Sequence, residues 1–349
     1  MRYSVAMAAS LTVEPFADTI SVEPGESMLQ SLIRHGRHVR YGCKHGGCGT
    51  CRAKLVSGDC RIGEQTSYSL SEAKQKAGFV LLCATYVNSG DAVVDISQTM
   101  DIAHSKYMDG KQVTEIPLEV VAVEEISPMV RRLCCKPAAQ DELRFMAGQY
   151  VEVEIPGGDH EWRDFSLSSD PTRRDQVEFL IKLRTGGRLS HSISSGALRP
   201  GVEMRVRGPL GQFRMRRSHR PKVLVASGSG MAPIRAMLHE LASNSDVPKV
   251  TFFYGALTPE ELIMMDEMRS LEEKHEWLEF VPVVQEKAGG WTGERGLVTD
   301  VLAQRMPSLR GKEVYLCGAP SLIDEAMELA EQKGAKSRHI FFERFVPSG

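Results

Sequence analysis

The chain has no long hydrophobic run. No stretch of its 349 residues approaches the roughly 20 apolar residues that a membrane-crossing helix requires, so no membrane anchor is expected. Its start, "MRYSVAMAAS", has no long apolar stretch before a cleavage site, and no signal peptide is expected either. A charge excess is also missing. Lys and Arg number 43 against 45 Asp and Glu, and the formal net charge of -2 leaves no overall attraction to nucleic acid or to an anionic membrane. Cysteine is scarce: eight are too few for a disulfide scaffold in a chain this long, and their clustering points to ligation in a reducing cytoplasm. The length exceeds one ordinary domain and leaves room for two or three.

Three of the eight cysteines fall in "YGCKHGGCGTC", residues 41 to 51. Cys43, Cys48 and Cys51 are spaced C-x4-C-x2-C, the plant-type pattern for a 2Fe–2S cluster, which needs a fourth thiolate from further along the chain. Cys83, in "FVLLCAT", closes an apolar strand and is the candidate; Cys60, in an expected hairpin, is the alternative. Gly42, Gly46, Gly47 and Gly49 let a short backbone wrap a cluster with amides aimed at sulfur. Zinc on Cys43, Cys48 and Cys51 with His45 or Cys60 is the competing reading. Structural zinc sites favour two separate knuckles of paired ligands, whereas here one glycine-lined loop has one distant partner.

The flanks fit a β-grasp domain over residues 1–98. "TISVEPGESMLQSLIRHG" reads as strand, turn at Pro24 and Gly25, then a helix with Met28, Leu29, Leu32 and Ile33 as its apolar stripe and Gly36 at its end. "CRAKLVSGDC" and "DAVVDIS" read as further strands. His35, His38 and His45 are expected at the surface or in local hydrogen bonds. In "RRLCCKP", strand alternation points one of Cys134 and Cys135 inward and the other outward.

Residues 99–113 are polar and aperiodic, a linker. From 114 to 217 six short β-rich runs parted by turn residues read as a small antiparallel barrel. Two segments there carry chemistry. "RDFS" places a cation (Arg163), an aromatic ring (Phe165) and a hydroxyl (Ser166) on one extended piece. These suit, in turn, a pyrophosphate, a flavin ring and the flavin N5 edge. "RTGGRLSHSI" follows a strand and opens a helix, where Gly186, Gly187 and Ser190 offer amides and a hydroxyl to a phosphate.

From 218 to 349 the rhythm changes to alternating strand and helix. "KVLVAS", "KVTFFYG", "LEFVPVVQ" and "EVYLCG" suit a parallel sheet. "GSGMAP" joins the first run to a helix. Gly228 and Gly230 allow close approach of a pyrophosphate, and Pro233 suits the helix's first turn. With Pro233 where a third glycine would stand, this is not the G-x-G-x-x-G fingerprint. Cys317 and Gly318 of "YLCGAP" fall at the carboxyl edge of the sheet, and "HIFFERF" supplies a last strand ending near Glu343 and Phe345.

With these motifs together, the chain resembles the reductase components of bacterial multicomponent monooxygenases, the phenol hydroxylase reductase type above all. The resemblance rests on the cysteine loop, "GQYV…RDFS", "GPLGQF", "GSGMAP", "FYGA", "YLCGAP" and "FFERF", and covers nearly the whole chain. It implies a plant-type ferredoxin domain, an FAD barrel of ferredoxin–NADP reductase type and a parallel-sheet α/β nicotinamide domain, a multidomain α+β and α/β architecture. It implies that Cys43, Cys48, Cys51 and Cys83 ligate the cluster. Arg163, Asp164, Phe165 and Ser166, with Ile181, Lys182, Gly186, Gly187, Leu189 and Ser190, are then the flavin contacts. Gly228, Gly230, Met231, Pro233, Cys317, Gly318 and Phe345 become the nucleotide-side contacts, and Ser166, Cys317 and Glu343 the candidate catalytic groups. Phe165 stands where tyrosine is commoner, and Leu257, after "FYGA", where many relatives carry arginine.

The implied activity is electron transfer from NADH through FAD and the 2Fe–2S cluster to an oxygenase component, without nucleic acid or membrane. FAD joins a two-electron donor to a one-electron carrier, and that redox chemistry belongs to the cofactor. The rivals are the reductase of an aromatic-ring dioxygenase, a membrane-linked quinone reductase subunit, which needs an anchor, and a zinc-stapled binding module without catalysis.

Overall fold

The computed structural model describes residues 9–37, 39–42, 44, 46–47, 49–63, 70–100, 114–137, 143–156, 161–173, 175–286 and 290–345. It divides into two compact units, residues 1–114 and 115–349. Most of the expected linker, 101–113, lies outside the described residues.

In the first unit a five-stranded sheet runs β2-β1-β5-β3-β4, with β1 Ala9–Glu14, β2 Asp18–Val22, β3 Arg52–Ile62, β4 Phe79–Leu81 and β5 Thr85–Asp95. β1 pairs antiparallel with β2 and parallel with β5, while β3 runs antiparallel to both β4 and β5. Helix α1, Met28–Arg34, starts at a capping box in which Ser27 and Gln30 satisfy each other's backbone N–H groups. It buries Met28, Leu29 and Leu32 among Leu11, Val13, Ile20, Leu82 and Val94. This is the β-grasp arrangement. Gly36, at φ +69°, follows the helix in a left-handed conformation that glycine adopts without strain. His35 hydrogen-bonds locally, through Nδ1 to the Ser31 carbonyl at 2.9 Å. A one-turn helix α2, Glu72–Lys76, precedes β4.

The second unit begins with a six-stranded sheet of order β10-β7-β6-β11-β8-β9. Its strands are β6 Thr114–Ser127, β7 Val130–Pro137, β8 Tyr150–Glu154, β9 Trp162–Ser166, β10 Val177–Lys182 and β11 Glu203–Leu210. All six expected runs form strands. A bridge between Leu167 and Phe179, with Ser168 N–H donating to the Glu178 carbonyl at 2.9 Å, joins the two outer strands and closes the barrel. Helix α3, Arg188–Ser194, packs Leu189 and Ile193 into the barrel core.

One expectation fails here: Cys134 and Cys135 are both buried. Alternation does separate them. Cys135 joins the barrel core, while Cys134 shares a face with its cross-strand neighbour Glu178. That second face is covered too, because Glu178 binds Arg235 of a helix docked against it. Burial and the Glu178 charge push the Cys134 thiol up, and burial pushes Cys135 up to about 12.

The remaining strands form a fully parallel sheet of order β15-β14-β13-β12-β16-β17. They are β12 Lys222–Ser227, β13 Val250–Ala256, β14 Leu278–Val284, β15 Glu294–Arg295, β16 Glu313–Gly318 and β17 Ile340–Arg344. Helices α4 Met231–Ala242, α5 Met265–Lys274, α6 Val298–Arg305 and α7 Pro320–Gln332 connect them. The sheet is packed by apolar clusters on both faces, as a parallel sheet requires. The chain builds outward from β12 through β13 and β14, then returns to place β16 on the other side of β12. The topological switch point therefore lies between the carboxyl ends of β12 and β16. No described helix is long and apolar enough to cross a membrane.

Candidate functional site

The cysteine loop joins α1 to β3. Gly46 and Gly49 adopt φ +80° and +71°, a conformation costly to any residue with a Cβ. The first lets the Gly46 N–H donate to Cys83 Sγ at 3.3 Å. Cys83 sits in a 3-10 turn, Leu82–Ala84, tied to the loop by Leu82 N–H to the Cys51 carbonyl at 3.0 Å. The result brings the buried Cys51 and Cys83 sulfurs to 3.3 Å. Among the described residues no third Cys, His, Asp or Glu joins this pair, so Cys60 stands apart from it. Cys60 is half-buried opposite Val87, its thiol pushed up by burial and by Asp59. Cys43, His45, Cys48 and His38 lie outside the described residues. Two converging sulfurs with a backbone N–H aimed at one of them fit a thiolate-held cluster; hard cations take oxygen.

The barrel brings the two flavin segments together. Cross-strand partners share a face, so the β8–β9 register puts Arg163 and Phe165 beside Val153 and Val151, and Asp164 and Ser166 beside Glu152 and Tyr150. Phe165 rests half-buried against the barrel core. Arg163 pairs with Glu161, and the same carboxylate accepts from Arg188 Nη1, at the start of α3, at 2.8 Å. Two guanidinium groups from separate elements thus converge on one carboxylate. Neither Glu161 nor Arg188 stood out in the sequence, because single charges on a strand end and a helix start carry no pattern.

The Gly-Gly turn lines a cleft of about 750 Å³ with Leu183, Arg184, Arg188 and His191. Gly186 takes φ +76° with open space around its missing Cβ. Ser190 Oγ accepts the Arg184 N–H at 2.9 Å, and Gly187 N–H donates to the Arg184 carbonyl at 3.1 Å. Those two groups brace the turn, and the Ser190 hydroxyl, which accepts here, keeps its own proton to donate. Ile181 and Leu189 are buried in the barrel core, whereas Lys182 is exposed.

At the sheet's switch point, Gly228 adopts φ +53° in open space, and its carbonyl accepts from the Tyr254 hydroxyl at 2.9 Å. Gly230 differs. A Cβ there would lie 2.4 Å from the Cys317 carbonyl oxygen, so this glycine permits contact with the protein's own backbone. Met231 is fully buried in the apolar cluster, packing rather than lining the crevice. Pro233 is buried in the first turn of α4. Cys317 is completely buried and lies in register with Glu343 on β17; burial and that carboxylate push its thiol well above the usual range. It is a neutral thiol at physiological pH. Phe345 is half-buried, its N–H donating to the Gly318 carbonyl at 2.8 Å. The structure therefore brings Gly228, Gly230, Cys317, Gly318, Glu343 and Phe345 to one sheet edge. Tyr254, which anchors the turn, was hidden in the apolar run "TFFYG".

Comparison with known proteins agrees with this geometry. The chain matches the 2Fe-2S iron-sulfur cluster binding domain family over residues 11–88, the oxidoreductase FAD-binding domain family over 117–215, and the oxidoreductase NAD-binding domain family over 224–328. It is 30% identical over 348 residues to the reductase component of propane 2-monooxygenase from Mycolicibacterium goodii, covering 98% of each chain. It is 31% identical over 343 residues to the phenol 2-monooxygenase reductase component DmpP of Pseudomonas sp. strain CF600, covering 97% of this chain and 95% of that one. The solved structure of the Amycolatopsis cytochrome P450 reductase GcoB superposes with a TM-score of 0.83 over 97% of this chain and 99% of that one, at 24% identity, which speaks to the fold. The chain belongs to the reductase components of bacterial multicomponent monooxygenases: iron–sulfur flavoproteins that join a 2Fe–2S domain to FAD- and NAD-binding domains.

Proposed function

We propose that this chain is the NADH-oxidising component of a cytoplasmic multicomponent monooxygenase and delivers single electrons to its oxygenase component. The observation that carries the reading is that one chain holds three sites: the Cys51–Cys83 pair, the Arg163–Arg188 arrangement on the barrel, and the switch point where Cys317 lies in register with Glu343. When bound, FAD and the cluster supply the conversion of a hydride into single electrons. The protein's part is positional. Cys51 and Cys83, with Cys43 and Cys48, hold the cluster. Arg163 and Arg188 offer charge to the flavin pyrophosphate in exchange for Glu161. Phe165 and Ser166 meet the flavin ring, and the neutral Cys317 thiol beside Glu343 borders the nicotinamide. A monooxygenase partner is favoured over a dioxygenase because the propane 2-monooxygenase and phenol 2-monooxygenase reductase components reach 30–31% identity. The toluate 1,2-dioxygenase electron transfer component of Pseudomonas putida reaches 28%.

The test is a visible spectrum with iron, sulfide and flavin analysis, followed by NADH-driven reduction of cytochrome c. Two irons, two sulfides and one FAD per chain with NADH-dependent turnover are expected. A colourless protein carrying zinc would sink the proposal.

A further inference from the structure

The guanidinium of Arg235, only 9% exposed, joins groups from three separate parts of the chain. Its Nη1 donates to the Glu178 carboxylate at 2.6 Å and to the Ser168 carbonyl at 2.7 Å, both on the flavin barrel. Its Nε donates to Glu267, on α5, at 2.8 Å. Glu267 is held from a second side by His239 Nε2 at 2.6 Å, one turn after Arg235 on α4. Glu178 is fixed as well: Gln176 donates to its other carboxylate oxygen at 2.6 Å, and its own N–H donates to Ser169 Oγ at 3.1 Å. Every link crosses or braces the junction between barrel and parallel sheet.

The positions of these residues along the chain matter as much as their contacts. Ser168 comes two residues after Ser166 at the end of the flavin strand. Arg235 comes five residues after Gly230, on the helix that the nucleotide turn opens. We propose that Arg235 is a positioning residue for hydride transfer, a strut that sets the separation between the flavin strand and the nicotinamide turn. This rests on the reading that NADH reduces FAD across this junction.

Physical economy favours the assignment. A buried ion cluster is a poor way to gain stability, since well-packed apolar residues of similar volume do as well or better. Its use is directional: a planar guanidinium donates along fixed vectors and holds several partners at set angles. Hydride transfer rewards that, because the reacting atoms must approach to about 3–3.5 Å and a misplacement of about 1 Å costs on the order of 100-fold in rate.

The test uses full-length holoprotein in three variants, Arg235→Gln, Arg235→Lys and Glu178→Gln, with anaerobic stopped-flow reduction by NADH. Arg235→Gln is expected to retain FAD and to bind NADH within about twofold of wild type. Its limiting rate of flavin reduction should fall about 10- to 100-fold, and the long-wavelength charge-transfer absorbance of the nicotinamide–flavin pair should fade with it. Arg235→Lys restores part of both, and Glu178→Gln, which still accepts from Arg235, loses less. Electron transfer to cytochrome c from dithionite-reduced protein stays at the wild-type rate in all three. A limiting rate within about twofold of wild type in FAD-loaded Arg235→Gln overturns the strut. So does loss of FAD in which the fraction still loaded reduces normally. A wild-type protein that NADH cannot reduce overturns the functional reading itself, an outcome seen without any variant.

Discussion

The sulfur atoms of Cys51 and Cys83 lie 3.3 Å apart although the two residues are 32 positions apart in the chain. A short helical turn after β4 and a hydrogen bond from Leu82 to the Cys51 carbonyl hold them there before any metal is considered. Replacing Cys43, Cys48, Cys51 or Cys83 with Ser is therefore expected to lose the cluster, since a neutral hydroxyl is a poor substitute for a thiolate. Cys60→Ser, Cys134→Ser and Cys135→Ser should keep iron near the wild-type content. Iron analysis checks this, and a Cys83→Ser protein with full iron beside an iron-free Cys60→Ser would reverse the fourth ligand.

The two glycines of the nucleotide turn should respond differently to alanine. At Gly230 the new methyl meets the Cys317 carbonyl at 2.4 Å, so the turn or β16 must shift. A loss of about 1–3 kcal/mol is expected from overpacking, together with a raised KM for NADH. At Gly228 the space is open and the φ of +53° alone resists, costing about 1–2 kcal/mol. Thermal melts and steady-state kinetics of the two variants decide this. A Gly230→Ala protein as stable and active as wild type would remove the close-approach argument.

Much of the architecture was legible in the sequence because it is local. Six runs in the barrel segment and four in the sheet segment appear as strands where alternation and apolar clustering put them. Cys51 was legible from the C-x4-C-x2-C spacing, and Cys83 from the apolar strand it closes, with Cys60 left open as the alternative. What escaped depends on what covers a surface. Alternation assigned Cys134 to the face opposite Cys135 and could not foresee a helix docking there. Motif position put Met231 at the ligand, but tertiary packing takes it fully inside. At Gly230 the missing Cβ also makes room for the Cys317 carbonyl of β16, a contact that no pattern in the chain announces. The Glu161 link between Arg163 and Arg188 spans elements 27 residues apart and leaves no pattern in the chain.

The division into compact units 1–114 and 115–349 makes the second testable alone. A fragment starting at Thr114 should bind FAD and pass electrons from NADH to ferricyanide, while failing to reduce acceptors that draw on the cluster. A folded fragment without flavin would mean that the cysteine-bearing unit contributes to the flavin site.

Acid should weaken the parallel-sheet domain through a buried pair. Lys222 and Glu313 are 1% and 4% exposed and meet at 2.8 Å, with Ser218 and Tyr315 also donating to the carboxylate. Burial works against the charged Glu313, but Lys222, Ser218 and Tyr315 outweigh it and hold its carboxyl below the usual range. A carboxyl whose folded value lies below its unfolded value of about 4.3 stabilises the fold fully above that pH, and the contribution disappears as pH falls through the folded value. Wild-type Tm should fall steeply below about pH 4.5. Glu313→Gln, which leaves Lys222 buried and uncompensated, should lose about 3–5 kcal/mol at pH 7 and show a flatter acid limb. Parallel Tm–pH curves for the two proteins would contradict this.

Nucleotide choice turns on the edge that follows β13. A site selective for NADPH needs a cation, usually arginine, to meet the 2′-phosphate. Here Leu257 is exposed at that edge, and Glu260 and Glu261 follow in a short 3-10 turn. A hydrogen bond from the Thr258 hydroxyl lowers the Glu260 carboxyl, keeping it charged. Glu286 is drawn to the same edge, its N–H donating to the Leu257 carbonyl at 2.9 Å. Arg235, the cation best placed in sequence to substitute, is held inside by Glu178, Glu267 and the Ser168 carbonyl. These carboxylates repel a 2′-phosphate and can accept from ribose hydroxyls. One missing charge-assisted hydrogen bond is worth about 1–3 kcal/mol, which corresponds to a preference for NADH of about 10- to 100-fold in kcat/KM. Leu257→Arg should narrow that preference by improving NADPH more than it harms NADH. Steady-state kinetics with both nucleotides measures it, and equal or better efficiency with NADPH in the wild-type protein would overturn the assignment.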